Sequence, residues 1–279
     1  MGKRFIKRVL KTILILIGII IFSLGIYIVF NLNIFHKTKA LTLAEKNTYL
    51  QQIDSSKSDP FNFVADKFND HSIVFIGEFH KRKQDLEFFS NLIPYLYRTK
   101  KIKVIGWEFG AAEYQKDADS VVTAPDFDRK KAISIMRRSM YYWCYEEYLN
   151  IFKTIWQLNK EILSADEKIR FLQLNTPYIP KLWNSSDPKI RLEGRMKNFD
   201  NILPGIVERE VIQKNKKILI YCGLHHSFTK FKTPKMFFLK ERERAGQRLY
   251  EKYPDEIYQI CLICAFLPRW TMYYELRHR

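Results

Sequence analysis

Four acidic or imidazole side chains lie where short apolar runs of the sequence end. They are Glu78, His80, Glu108 and His226. Two carboxylates and two imidazoles suit general acid–base catalysis, because a carboxylate can orient a histidine that takes a proton from water. The same residue types suit a divalent metal, since zinc sites in hydrolases use three nitrogen or oxygen ligands and leave one position for water. The sequence leaves both chemistries open.

The apolar runs predict the elements that position these side chains. Residues 73–76, 104–105 and 218–222 are rich in β-branched and aliphatic residues and end beside a glycine, a pattern typical of strands buried on both faces. In open α/β sheets, ligands bind outside the carboxyl ends of the strands. Side chains two apart in an extended segment share one side, so we expect Glu78 and His80 to face a common cleft.

The placement of the histidines distinguishes them from isolated surface residues. The chain has only 6 histidines, and His80, His225 and His226 directly follow predicted strands. No G-x-S-x-G turn and no G-x-x-x-x-G-K-S/T loop occurs in the sequence. The serine-hydrolase and nucleoside-triphosphatase classes therefore lack their usual signatures.

Helical and strand patterns alternate along the rest of the chain. Residues 73–109 predict a strand–helix–strand unit with parallel pairing, and an apolar stripe at 145–156 predicts a helix packed on the core. Residues 111–140 are polar and irregular, which fits either a flap over the cleft or a surface insertion. The remaining predicted elements are a strand at 169–174, a helix from Asp187 that stops near Pro204, a charged helix at 239–252 and a strand at 257–266.

The cysteines indicate neither a metal site nor a disulfide framework. Cys261 and Cys264 form a C-x-x-C pair, but a structural zinc site normally needs a second pair, and the chain has only 4 cysteines. Their apolar surroundings predict two free cysteines buried in a strand.

The amino terminus predicts a membrane anchor. A basic tail at residues 1–11 precedes residues 12–35, which carry no charged side chain. A helix of that length is about 36 Å long, enough to cross a hydrocarbon core of about 30 Å. A cleaved signal peptide is the alternative, but its apolar region usually has about 7–15 residues and ends in a small-residue cleavage site.

This anchor fixes the expected domain organisation. The positive-inside rule places the tail in the cytoplasm and predicts a single-pass membrane protein whose main domain lies outside the cytoplasm. Residues 36–70 are expected to be a linker and lead-in, and residues 71–279 one α/β catalytic-like domain.

The net charge limits the choice of partners. A formal charge of +17 favours anionic partners such as lipid headgroups or nucleic acid. The lysines and arginines are scattered among acids, as in residues 240–244, which is typical of a solvated helix face. No nucleic-acid-binding signature occurs, so the sequence predicts no nucleic-acid partner.

The polar motifs resemble those of a known superfamily. Residues 77–80, Glu108 after a strand and residues 223–226 are similar to the G-E-x-H, glutamate and G-x-x-H pattern of the superfamily that contains erythromycin esterase, the ChaN haem-binding proteins and the Tiki/TraB metalloprotease-like proteins. The resemblance covers about residues 70–230. It implies an α/β fold with a mixed, mostly parallel central sheet flanked by helices, and it places the four residues named above in the site.

The resemblance leaves the activity and one ligand open. Members hydrolyse esters or peptides, or bind haem, so no single activity is implied. His225 stands where the pattern expects a small residue, which leaves open whether His225 or His226 points inward.

We expect a membrane-anchored, outward-facing hydrolase of an ester or amide bond in a small molecule or peptide. His80 would be the general base, Glu78 and Glu108 its orienters, and His226 the acid; all four are also candidate ligands for zinc, manganese or iron. The alternative is a haem- or metal-binding protein of the ChaN type without turnover. Tyrosines in the chain support this hypothesis, since phenolate can ligate haem iron. The tyrosines available for that role are Tyr141, Tyr142, Tyr145 and Tyr148. The third hypothesis is an interaction module that binds a partner and whose former site has lost its activity.

Overall fold

The described part of the chain forms two compact units, the first up to residue 55 and the second from Asp59 onward. The structure is a computed structural model. It describes residues 2–31, 42–55, 59–177, 179, 181, 185–196, 198–230 and 243–262.

The first unit contains two helices, α1 (Gly2–Asn31) and α2 (Leu43–Ser55). Within α1, residues Lys7–Ile28 are long and apolar enough to cross a membrane, and they are not buried by other parts of the protein. This helix is compatible with a membrane anchor or with a signal sequence. Residues 32–35 of the predicted span lie outside the described residues, and the side of the membrane stays a prediction.

The second unit is an α/β domain, as the sequence predicts. Its strands are β1 (Ile73–Glu78), β2 (Val104–Ala111), β3 (Arg170–Asn175), β4 (Ile218–Gly223) and β5 (Ile257–Cys261). Its helices are α3 (Pro60–Asp70), α4 (Lys83–Lys100), α5 (Gln115–Thr123), α6 (Arg129–Met140), α7 (Glu146–Glu161), α8 (Pro188–Met196), α9 (Phe199–Glu210), α10 (Leu224–Ser227) and α11 (Ala245–Lys252).

The five strands form one sheet in the order β3-β2-β4-β1-β5. Every described pair is parallel, so the mixed sheet implied by the resemblance becomes an all-parallel sheet in this part of the chain. β4 lies between β1 and β2 although it follows both in the sequence. This arrangement brings three carboxyl ends side by side, where open α/β sheets bind ligands.

Alternate residues of the central strands face two helical layers. Side chains such as Val74, Ile76 and Tyr221 pack with α3 to α7 in the larger core. Their neighbours Phe75 and Ile220 pack with α9 and α11 on the opposite face. Parallel strands covered on both faces are hydrophobic throughout, which explains why the sequence shows continuous apolar runs here.

The segment 111–140 is helical, so the prediction of irregular structure there is wrong, and its role as a flap or a surface insertion stays a prediction. Helices α5 and α6 span most of it and bury small apolar faces, including Val121, Val122 and Ile135. The polar majority of the segment lies on the exposed faces, and this hid the helical period. α3 likewise packs on the domain core through Phe68, within the segment expected to be a lead-in.

The helix expected from Asp187 to Pro204 is two helices, α8 and α9. The Asn198 side chain accepts a hydrogen bond from the Asn201 backbone N–H at 3.2 Å and caps a new helix. Pro204 lies inside α9 rather than ending it. Its missing N–H removes one hydrogen bond, and the buried apolar face of α9 stabilises the helix despite that loss.

The last strand lies at the edge of the sheet and not in its interior. Cys261 ends β5 and is exposed, which corrects the prediction of a buried cysteine at this position. An edge strand pairs on one side only, so its end is poorly covered. Cys264, residues 239–242 of the charged helix and residues 263–266 of the predicted strand lie outside the described residues.

Candidate active site

The ends of β1 and β4, with a residue near the end of β2, assemble the site. Glu78 ends β1 and lies opposite Gly223, the last residue of β4. On the other side of β4, Trp107 pairs with Tyr221, so Glu108 emerges from β2 one residue beyond that pair. The structure therefore brings Glu78 and Glu108 to the same edge of the sheet, as the sequence predicts.

Glu78 and His80 form a hydrogen-bonded pair. The Nδ1 atom of His80 donates to Oε1 of Glu78 at 2.8 Å. The side chain of Glu78 is 0% exposed, whereas that of His80 is 38% exposed. In the neutral imidazole, the tautomer that donates from Nδ1 to the carboxylate keeps a lone pair on Nε2.

Two tyrosines fix the carboxylate of Glu78. The hydroxyl of Tyr148, on α7, donates to Oε1 at 3.2 Å, and the hydroxyl of Tyr221, on β4, donates to Oε2 at 2.6 Å. Burial is the main cause that raises the pKa of both phenols far above its ordinary value, and the charge of Glu78 adds to it. Both hydroxyls therefore stay protonated and act as donors that hold Glu78 in place.

Glu108 is oriented by the end of β4. Its Oε2 atom accepts a hydrogen bond from the Gly223 backbone N–H at 2.7 Å. A side chain at position 223 would have its Cβ 2.7 Å from Nε2 of His80 and 3.3 Å from Oε2 of Glu108. A side chain at position 223 would therefore clash with the His80 ring.

His226 lies between two carboxylates. Its Nδ1 atom donates to Oδ1 of Asp200 at 2.6 Å, and its Nε2 atom lies 3.4 Å from Oε1 of Glu108. Burial alone lowers the pKa of His226, but the charges of Glu108 and Asp200 outweigh burial and raise the pKa above its ordinary value. The two carboxylates therefore favour the protonated form of this imidazole.

Asp200 is held in turn by the start of α11. Its Oδ2 atom accepts from Nη1 of Arg244 at 3.1 Å, and Oδ1 accepts from the Ala245 backbone N–H at 2.9 Å. Burial opposes ionisation of Asp200, but the hydrogen bond and charge of His226, with these further donors, lower its pKa. A chain of groups thus runs from Arg244 through Asp200 and His226 to Glu108.

A small cleft opens over these groups. It has a volume of about 190 Å³ and is lined by Glu78, Phe79, His80, Gly223, Leu224, His225, His226 and Arg244. His225 is exposed and contacts the ring of Phe228, whereas His226 contacts Glu108. Between the two histidines left open by the sequence, His226 is therefore the one that joins the carboxylates.

The residues do not form a ready metal cage. Both oxygens of Glu78 accept hydrogen bonds, and both nitrogens of His226 face carboxylates. Within the described ranges, no group of three or more His, Cys, Asp or Glu side chains is arranged to hold a metal ion. The geometry is that of linked hydrogen-bonded pairs, and it does not support the prediction that these four residues ligate zinc, manganese or iron.

Sequence reasoning missed the residues that hold the site in place. Tyr221 lies inside an apolar strand, and Asp200 lies in an ordinary helix. Tyr148 was expected in a core stripe and as one candidate iron ligand. The available signal was the period of two in β4, because Tyr221 lies on the same face of the sheet as Glu78 and brings a hydroxyl into an otherwise apolar core.

Comparisons with known proteins support the fold. No protein-family model and no curated protein sequence matches the chain. ChaN of Campylobacter jejuni, solved with cofacial haem, aligns with a TM-score of 0.51 and 11% identity over 77% of this chain and 90% of that chain. A structure described as bacterial protein toxins aligns at 0.50 and 14% over 75% and 38%. A MARTX toxin effector domain from Vibrio vulnificus aligns at 0.49 and 14% over 75% and 36%.

At these identities the likeness shows the fold alone. The chain spans little more than a third of the two toxin structures. The comparisons support the ChaN part of the resemblance and not erythromycin esterase or the Tiki proteins specifically. The protein has a ChaN-like α/β fold.

Proposed function

We propose that the protein hydrolyses an ester or amide bond by acid–base catalysis at the Glu78–His80 pair. The observation that carries this proposal is the 2.8 Å hydrogen bond from Nδ1 of His80 to Glu78, which joins a partly exposed imidazole to a fully buried carboxylate. An oriented imidazole with an open lone pair can take a proton from water. Its buried partner stabilises the positive charge that then develops on the ring.

The proposed reaction uses the two histidines differently. His80 takes a proton from water as the water oxygen attacks the carbonyl carbon of the substrate. The tetrahedral intermediate collapses when the bond from the carbonyl carbon to the leaving group breaks. His226, whose pKa is raised by Glu108 and Asp200, protonates the leaving oxygen or nitrogen.

Replacement of the pair tests the proposal. The purified full chain in neutral detergent would be assayed with para-nitrophenyl esters and fluorogenic peptides. We expect His80→Ala and Glu78→Gln to lower kcat by about 100-fold or more while the circular dichroism spectrum is kept. His71→Ala is the matched control, because His71 precedes β1 at the opposite end of the strand. Full activity in either site variant would refute the assignment.

Haem binding is the alternative suggested by the ChaN-like fold. Tyr148 is a poor iron ligand here, because its buried hydroxyl donates to Glu78. The cleft of about 190 Å³ is also below the range of about 300–1,000 Å³ typical of ligand pockets. Haem titration followed by absorption spectroscopy decides between the two functions: a Soret band together with no hydrolysis of any substrate would replace the hydrolase proposal.

The location of the activity is part of the proposal. We expect α1 to remain as an anchor and the α/β domain to lie outside the cytoplasm. Protease added to intact cells should then digest the domain. Protection of the domain in intact cells, with digestion after lysis, would place it in the cytoplasm.

A further inference from the structure

Lys81, directly after His80, has an unusual backbone conformation. Its φ is 65°, in the left-handed region that lysine rarely adopts. Among the described residues other than glycine, only Lys101 and Asn215 share a positive φ, and both end helical turns, where this conformation is common. Lys81 ends no helix, and strained residues of this kind concentrate at functional sites.

The turn that holds Lys81 belongs to the site network. Lys81 directly follows His80, whose ring is hydrogen-bonded to Glu78 at 2.8 Å. The Lys81 side chain therefore leaves the backbone at the residue next to the proposed base.

The ammonium group of Lys81 is held by aromatic rings. Its Nζ lies 5.1 Å from the ring centroid of Trp143 and 5.4 Å from that of Tyr145. The ring of Trp143 in turn lies 4.5 Å from the ring of His80. Cation–π contacts position an ammonium without neutralising its charge.

Neighbouring basic residues differ from Lys81 in their partners. Arg82 lies 3.6 Å from Asp85, and Lys83 lies 3.5 Å from Glu87. Lys81 forms no ion pair with any carboxylate of the described segments. A positive charge without a carboxylate partner among the described residues thus lies against the Trp143 ring, which also contacts the ring of His80.

We propose that Lys81 binds a carboxylate of the substrate, so that the site accepts esters or amides bearing one negative charge near the scissile bond. This inference rests on the proposed function and names its substrate class. One ammonium matches one negative charge, and a charge-assisted hydrogen bond to a carboxylate is stronger than one to a neutral acceptor. Glu108 lies 3.4 Å from His226, and the positive charge of a protonated His226 offsets the negative charge of this carboxylate.

A pair of matched substrates tests the proposal. The full chain in neutral detergent would be assayed with para-nitrophenyl hydrogen succinate and with its neutral methyl ester. We expect the wild type to have the higher kcat/KM for the anionic ester, and Lys81→Gln to reduce that preference about fivefold, the effect of one partly exposed ion pair. Lys81→Arg should retain most of the preference, and added salt should reduce it. Lys83→Gln is the control, because Lys83 is exposed and already pairs with Glu87.

The outcomes separate this proposal from the hydrolase itself. Equal kcat/KM for the two esters in the wild type, or an unchanged preference in Lys81→Gln, would overturn the role of Lys81 and leave the hydrolase proposal standing. If neither ester is hydrolysed, the hydrolase proposal fails for this class. Calorimetric titration with succinate then decides on Lys81: binding that Lys81→Gln loses supports it, and no binding to the wild type rejects it.

Discussion

Removing the hydroxyl of Tyr221 should destabilise the protein more than removing that of Tyr148. Oε2 of Glu78 accepts one hydrogen bond, from Tyr221 at 2.6 Å, among the described residues. Oε1 accepts two, from His80 at 2.8 Å and from Tyr148 at 3.2 Å. Tyr221→Phe therefore leaves a buried charged oxygen without its donor, whereas Tyr148→Phe leaves Oε1 bonded to His80.

The expected magnitudes follow from this asymmetry. A buried charged acceptor that loses its donor costs about 2–3 kcal/mol, and a second, longer hydrogen bond contributes about 1 kcal/mol. In a domain of this size, each 1 kcal/mol changes Tm by about 2–4 °C, so Tyr221→Phe should lower Tm by about 4–12 °C. Activity should fall as well, because a mobile Glu78 no longer orients His80.

Unfolding of the full chain in neutral detergent, followed by circular dichroism, measures both effects. The Tyr145 ring contacts Tyr148 and lies under the Lys81 ammonium, but its hydroxyl is not one of the donors to Glu78 named above. Tyr145→Phe is therefore the control. In a Glu78→Gln background the cost of Tyr221→Phe should shrink, which a double-mutant cycle detects. An equal or smaller loss for Tyr221→Phe than for Tyr148→Phe would refute the reasoning.

Two further predictions concern a buried acid and a glycine. Burial, aided by the charge of Glu78 and opposed by Arg82, raises the pKa of Asp85 to about 6. The folded state then binds a proton that the unfolded chain releases near pH 4, so stability should fall by about 2 kcal/mol as pH rises from about 4 to 6. Asp85→Asn should abolish that fall in urea unfolding at several pH values, and an unchanged pH dependence would contradict the assignment. In Gly223→Ala the new Cβ would lie 2.5 Å from Cε1 of His80, so hydrolysis should drop by about 100-fold at a stability cost of about 1–2 kcal/mol. Gly205→Ala is the control, because a Cβ there would meet open space; it should keep activity and stabilise α9 by about 1 kcal/mol. Normal turnover by Gly223→Ala would show that His80 tolerates displacement and would contradict the prediction.

The sequence alone was sufficient to predict the strands that carry the site. The apolar runs that become β1, β2 and β4 are buried on both faces, and such strands must be apolar at every position. The polar residues that follow them were therefore recognisable as residues of the carboxyl edge. The same reasoning failed for residues 111–140, because their buried faces are too narrow to show a clear period.

The partners of the site residues depended on the tertiary structure. Glu78 meets Tyr148 and Tyr221 only because β4 inserts between β1 and β2 and α7 packs on the same face of the sheet. Asp200 reaches His226 only because α9 and α10 meet at that edge. The sequence determined which side chains stand at the strand ends, since burial of a parallel sheet imposes a local pattern. Strand order and helix packing decided which groups hold them, since contacts between distant segments leave no local pattern in the chain.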